Sequence, residues 1–199
     1  MKVQKRNGTY EDISFDKILK RIRSLSNDEN FIEKLKIDET IVAQKVIQEI
    51  YDGVKTTELD ELAAEQCTEK STNHIEYSQL ASRIIISNNQ KCTSPSFSET
   101  ITILYNNKDF ENNENPIISK ELYEIVMKNK EKLNSYIDYD RDYLIDYFGF
   151  KTLERAYLLR KKGKIIERPQ HMWMRVALGI HGEDFKDALE SYDYLSNLY

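Results

Sequence analysis

A mainly α-helical fold is predicted, and three features of the sequence predict it. Apolar residues recur at three- and four-residue steps through most of the chain, three prolines and six glycines give 199 residues little punctuation, and only the N-terminus carries a clear hairpin pattern. With 40% apolar and 32% charged residues, the composition is that of a folded chain rather than a disordered tail. The length suits one core or two small ones.

The hairpin is expected from Val3–Arg6 and Thr9–Ile13, with Asn7-Gly8 supplying the two positive φ angles of a type I′ turn. Ser14 then precedes a basic amphipathic helix whose stripe is Phe15, Ile18, Leu19, Ile22 and Leu25. A second helix is predicted from Asp38 to Tyr51, with Ile41, Val42, Val46, Ile47 and Ile50 buried and Gly53 as the left-handed residue that ends it. Thr56 or Thr57 caps a third helix with Leu59, Leu62 and Ala63 inward, and a fourth runs from His74 to Asn89 on Ile75, Leu80, Ala81, Ile84 and Ile85. Residues 1 to about 91 thus read as a short β-hairpin plus a four-helix bundle.

The stretch Lys91-Cys-Thr-Ser-Pro-Ser-Phe-Ser-Glu reads as a boundary, which divides the chain into 1–94 and 95–199. Beyond it, helical patterns recur at 97–106, 119–133, 140–160, 169–181 and 183–198, with Pro169 in a first helical turn and Lys162-Gly163-Lys164 as a turn.

Several function classes are excluded. No apolar run of about 18 residues and no signal-peptide centre occur, so no membrane association and a cytoplasmic location are expected. Cys67 and Cys92 form no CxxC pair and read as reduced packing residues. A net charge of −5 argues against general DNA binding, so any phosphate site must be local. His74, His171 and His181 lie on different predicted elements with no ligand spacing, and no metal site is expected. Trp173, Met172 and Met174, and the cluster Tyr136, Tyr139, Tyr143 and Tyr147, read as packing residues.

One local concentration of charge stands out. The first 25 residues hold Lys2, Lys5, Arg6, Lys17, Lys20, Arg21 and Arg23 against Glu11, Asp12 and Asp16. Lys5-Arg6 beside a helix starting near Ser14 would bring cations and unpaired helix N–H groups together, an environment for polyphosphate; a solvated basic face is the alternative. Asp60 reads either as a first-turn acid of the third helix or as an acceptor for a sugar or base, and Thr56 is equally ambiguous.

These residues resemble a family. Lys5-Arg6-Asn7-Gly8, Glu11, Phe15-Asp16-Lys17-Ile18, Thr56-Thr57-Glu58-Leu59-Asp60-Glu61-Leu62-Ala63-Ala64-Glu65, Arg83-Ile84 and Ser87-Asn88 to Lys91 resemble the ATP-cone, a regulatory nucleotide-binding module. Asp138-Tyr139-Asp140-Arg141-Asp142, Tyr147-Phe148-Gly149-Phe150-Lys151-Thr152-Leu153-Glu154-Arg155 and Glu167-Arg168-Pro169-Gln170-His171-Met172 resemble the helical N-terminal part of aerobic ribonucleotide reductase large subunits, eukaryotic and viral forms best.

The resemblance implies an all-α region that precedes an α/β barrel, and an allosteric site for ATP as activator or dATP as inhibitor, with Mg²⁺. Lys5, Arg6, Lys17 and Lys91 would contact phosphates, Glu11, Asp12, Ile13, Ser14, Phe15 and Asp16 would line the nucleotide, and Thr56 and Asp60 would reach its sugar or base. Implied partners are the remainder of the large subunit, a radical-bearing small subunit, and large-subunit dimers with nucleotide-dependent higher oligomers. The family's radical and redox cysteines are not matched by Cys67 or Cys92. The chain alone is therefore expected to have no catalytic residues or redox cofactor and to be inactive as a reductase, either as a truncated copy or as half of a split subunit. A stand-alone nucleotide sensor or an interaction module is the alternative.

Overall fold

The computed structural model describes residues 1–27, 31 and 34–198, and they fold as two units. The first comprises Met1–Asn89 with Asp146–Phe150, and the second Gln90–Ile145 with Lys151–Tyr199. The predominance of helix predicted from the sequence is present in both.

In the first unit, β1 (Lys2–Gln4) pairs antiparallel with β2 (Tyr10–Asp12). The connection differs from the predicted type I′ turn. Gly8 N–H donates to Lys5 O (2.8 Å) and Lys5 N–H to Thr9 O (2.8 Å), while Gly8 takes φ +84° and Asn7 does not enter the left-handed region. This is a three-residue loop ending in a glycine bulge, and Asn7 Oδ1 stabilises it by accepting from Thr9 N–H (3.1 Å) and Thr9 Oγ1 (2.7 Å). The hairpin also acquires a strand that the sequence pattern did not reveal. β3 (Val54–Lys55) runs parallel to β1, Val3 beside Val54 and Gln4 beside Lys55, so the sheet order is β2-β1-β3.

α1 (Phe15–Ser26) buries Leu19, Ile22 and Leu25, and Arg83 donates to the carbonyls of Leu25 (3.2 Å) and Ser26 (3.3 Å) at its C-terminal end. α2 (Glu39–Glu49) starts where Asp38 accepts from Thr40 N–H (2.9 Å), and it buries Val42, Ala43 and Val46. Two expectations for α2 are corrected. Ile41 is exposed, because a stripe centred on Val42 and Val46 turns it outward. Gly53, at φ +85°, does not end the helix: Ile50 is already extended, and Gly53 instead shapes the turn into β3, with its N–H donating to Lys2 O (2.8 Å).

α3 (Thr56–Lys70) begins directly from β3, so Lys55 is the flanking residue and Thr56 and Thr57 are its first helical residues, not caps. Glu58 reaches back to accept from Lys55 N–H (3.2 Å). α4 (Glu76–Cys92) buries Leu80, Ala81, Ile84, Ile85 and Ile86; Ile75, predicted inward, precedes the helix and is exposed. Each fully buried aliphatic of this core contributes about 1.5–3 kcal/mol.

The second unit contains α5 (Phe97–Tyr105), α6 (Lys120–Lys128), α7 (Lys130–Tyr136), a 3₁₀ segment (Tyr139–Leu144), α9 (Pro169–His181) and α10 (Phe185–Ser196); α8 (Tyr147–Ala156) begins among residues that belong to the first unit. Phe97, Ile101, Leu104, Val126, Leu133, Met174, Ala177, Leu178 and Tyr192 form its core. The predicted helix 119–133 is broken at Asn129, and 140–160 is not one helix: Asp138 and Asp146 accept from backbone N–H groups and start two separate segments. The four tyrosines therefore share no helical face. Tyr136 is exposed and donates to Asp193 (2.7 Å), Tyr139 meets His171 Nε2 (2.8 Å), and Tyr147 is buried in the first unit. Lys162 (φ +49°) and Gly163 (φ +79°) form the two-residue turn between β4 (Arg160–Lys161) and β5 (Lys164–Ile165).

Cys67 is fully buried and its thiol is pushed up to about 12 by burial, whereas Cys92 is exposed and is not a core residue. Among the described residues, no helix is long and apolar enough to cross a membrane and no group of His, Cys, Asp and Glu is arranged to hold a metal.

Candidate nucleotide-binding site

The hairpin, the start of α1, the start of α3 and the last turns of α4 within the first unit bring charged side chains into two linked clusters. In the first, Glu11 on β2 receives Lys5 Nζ at 2.6 Å and Lys17 Nζ at 3.0 Å. The two ammonium groups, Lys5 foremost, hold the Glu11 carboxyl below its ordinary range. Lys5 ends the β1 side of the hairpin and Lys17 lies in the first turn of α1, so one carboxylate links both elements.

The second cluster is centred on Asp60, which is buried on α3. Its Oδ2 accepts from Arg6 Nη2 (2.9 Å) and Arg21 Nη2 (3.2 Å), and its Oδ1 from Arg21 Nε (3.2 Å). Arg6 also donates to Asn88 Oδ1 (2.5 Å) and Arg21 to Ser87 Oγ (3.0 Å), while Asn88 Nδ2 donates to Thr57 O (3.2 Å). Asp60 is thus not a cap of α3, since it sits past the first turn and its carboxylate is committed to two guanidinium groups.

Asp12 closes β2 opposite Lys2, Ile13 N–H donates to Met1 O (3.1 Å), and Ser14 flanks α1 in an extended conformation without a side-chain bond to the helix. The N–H groups of the first turn, from Phe15 to Lys17, consequently have no side-chain cap from Ser14, and Asp16 lies among them. Thr56 is half-buried at the first position of α3. Lys91 is exposed in the last turn of α4, outside the residues that pack as the first unit.

Of the residues singled out in the sequence, the structure joins Lys5, Glu11 and Lys17, and separately Arg6 and Asp60. Arg21, Ser87 and Asn88 complete the second cluster. Arg21 stands in the basic run of α1, but its pairing with Asp60 spans 39 residues and leaves no local signal. The donor set fits a nucleotide polyphosphate: flexible cations, a helix N-terminus without a side-chain cap, and nearby carboxylates that can accept from a sugar or base.

Two families match the chain. The ATP cone domain matches residues 1–92, and the ribonucleotide reductase all-alpha domain matches residues 143–199. The chain is 54% identical over 200 residues to the ribonucleoside-diphosphate reductase large subunit of Dictyostelium discoideum, which covers 98% of this chain and 23% of that protein. It is 50% identical over 199 residues to the Plasmodium falciparum large subunit, covering 100% of this chain and 24% of that protein. Against large chain 2 of Saccharomyces cerevisiae it is 49% identical over 203 residues, covering 100% and 23%. The chain thus spans about a quarter of the length of the curated relatives it matches. Both domains in order, and about half of all positions identical along the whole chain, show that the protein belongs to the ribonucleoside-diphosphate reductase large-subunit family and corresponds to its N-terminal region.

Proposed function

We propose that residues 1–94 act as an allosteric activity site that binds ATP as activator or dATP as inhibitor, with Mg²⁺, in a ribonucleoside-diphosphate reductase large subunit. Residues 95–199 serve as the helical region that braces the catalytic part. Lys5, Arg6, Lys17 and Lys91 contact phosphates, Glu11 to Asp16 line the nucleotide, and Thr56 and Asp60 reach its sugar or base. The observation that carries this reading is the convergence of Lys5 and Lys17 on Glu11 at the first turn of α1, where Ser14 provides no side-chain cap, with Arg6 on Asp60 as a second cluster. The Lys5 and Lys17 pairs with Glu11 are partly solvent-exposed, so a polyphosphate can exchange for that carboxylate at low cost.

The site would work by differential affinity. ATP and dATP shift the large subunit between assemblies only as far as each binds them unequally, which sets how the large-subunit dimers associate and how they meet the radical-bearing small subunit.

Calorimetric titration of the chain with ATP and dATP, with Mg²⁺ and again with a chelator, tests the reading. Saturable binding is expected, weakened by chelation and altered by Asp60→Asn. Absence of binding by protein with a cooperative thermal transition overturns it.

A further inference from the structure

Within the second cluster the two arginines are held differently, and the difference assigns them different work. Arg21 presents a fork to Asp60, with Nε on Oδ1 and Nη2 on Oδ2, and Nη2 also reaches Ser87. Such a two-point pair is the stronger and more directional arrangement. Arg6 meets Asp60 through Nη2, the same nitrogen that donates to Asn88. The Arg6 pair with Asp60 rests on one nitrogen shared between two acceptors, and is the less directional of the two.

The charges agree with this division. Two guanidinium groups share one carboxylate, and Asp60 itself is nearly inaccessible to solvent. Without Arg21, Asp60 would neutralise Arg6 alone and hold it, and a phosphate approaching Arg6 would also meet an uncompensated buried carboxylate. We infer that Arg21 is a positioning residue of the nucleotide site: by keeping Asp60 compensated it releases Arg6 for phosphate, without itself touching the nucleotide. This rests on the nucleotide-binding reading above and adds to it a residue that governs affinity from behind the site.

The test is calorimetric titration of the full chain with ATP and with dATP in Mg²⁺ buffer, comparing wild type, Arg21→Gln, Arg21→Lys, Asp60→Asn and the double variant Arg21→Gln/Asp60→Asn, each checked for a cooperative thermal transition. Arg21→Gln is expected to weaken triphosphate binding by about tenfold or more, and Arg21→Lys, which keeps the charge but loses the fork, by less. In the Asp60→Asn background the carboxylate that Arg21 compensates is gone, so the same Arg21 change is expected to cost under about threefold, a coupling that a purely structural or purely additive role would not produce. The double variant carries no unpaired buried carboxylate and so keeps the measurement possible where Arg21→Gln alone fails to fold. Equal affinity of wild type and Arg21→Gln overturns the inference and leaves the nucleotide site standing. An equal loss in both backgrounds overturns it too, by making Arg21 an independent contact. No binding by folded wild type overturns the nucleotide-binding reading, and this inference with it.

Discussion

Both units gather basic side chains onto carboxylates, but Glu11 in the first and Glu167 in the second sit at different depths. In the first unit Lys5 and Lys17 keep 43% and 65% of their side chains exposed while paired with Glu11, so water, salt or an anion can compete for them. In the second, Glu167 has no exposed side-chain surface; it accepts from Arg175 Nε (2.6 Å) and Nη2 (3.0 Å) and from Leu159 N–H (2.9 Å). Nearby, Arg168 donates to Gln90 O (2.9 Å) and Thr93 Oγ1 (3.2 Å), and its guanidinium lies 4.7 Å from the Tyr139 ring centre. The same kind of pairing forms an exchangeable network in one place and a fixed one in the other. Burial decides between them, because removing a charge from water makes its partners hard to replace.

The sharpest way to break this contrast is Glu167→Ala. It removes a fully buried acceptor shared by the Arg175 guanidinium and the Leu159 N–H, and a loss of about 4 kcal/mol is expected. Trp173 is the only tryptophan and lies in the second unit, so urea unfolding followed by its fluorescence reads that unit. A loss under about 1 kcal/mol would show that the buried pair is as replaceable as a surface one.

A second prediction concerns pH. Burial pushes the Asp142 carboxyl up to about 6, and burial, assisted by Arg168, pushes His171 down to about 3. Asp142 contributes stability that is fully present below its ordinary value of 3.8 and is lost as pH rises through about 6. His171 acts in the opposite sense: its contribution is present above its ordinary 6.5 and is lost as pH falls toward about 3. Between roughly pH 6 and 4 each group supplies a slope of about 1.4 kcal/mol per pH unit, and the two oppose one another. Asp142→Asn keeps an acceptor for Gln170 N–H, gives up the bond from Gln90 Nε2, and removes one slope. The variant is expected to lose stability steadily on acidification through that window, while wild type changes far less. Parallel pH profiles for the two proteins, from the same fluorescence measurement, would refute the compensation.

The smallest effect separates the two hairpins. Gly8 and Gly163 both take positive φ with open space where a Cβ would stand, so Gly8→Ala and Gly163→Ala are each expected to cost about 1 kcal/mol from backbone strain alone. Amide hydrogen exchange resolves the two, and a larger loss at Gly8 would mean that the bulged loop matters beyond its own conformation.

Much of this architecture was readable from local pattern. The stripes of α1 and α4, the cap at Asp38, Pro169 at the start of α9 and the turn at Lys162-Gly163 all act over a few residues. The failures have a common physical origin in distant partners. β3 has only two residues, too few to alternate, and exists because β1 offers it hydrogen bonds from fifty positions away. Asn7-Gly8 carried the stronger hairpin signature, yet the true two-residue turn with both φ angles positive is Lys162-Gly163. Asn7 gains more by accepting from Thr9 than by entering the left-handed region. In the candidate site, Lys5, Arg6, Glu11, Lys17 and Asp60 were visible as charged residue types in a pattern. Which acid serves which base was not, because Asp60 meets Arg6 across 54 residues and Arg21 across 39.

The sheet order β2-β1-β3 makes the very first strand of the chain the central one. Its hairpin edge can close as soon as residue 12 is available, but its other edge stays unpaired until Val54 and Lys55 arrive. During synthesis the hairpin therefore waits, half finished, for some forty further residues, and the loop closure that completes the sheet brings in the start of α3, with Thr56 and Asp60. Sheet completion is thus one stage of cluster assembly and the arrival of Ser87 and Asn88 a later one, so a nascent chain can hold the Lys5–Glu11–Lys17 cluster before the Asp60 cluster exists.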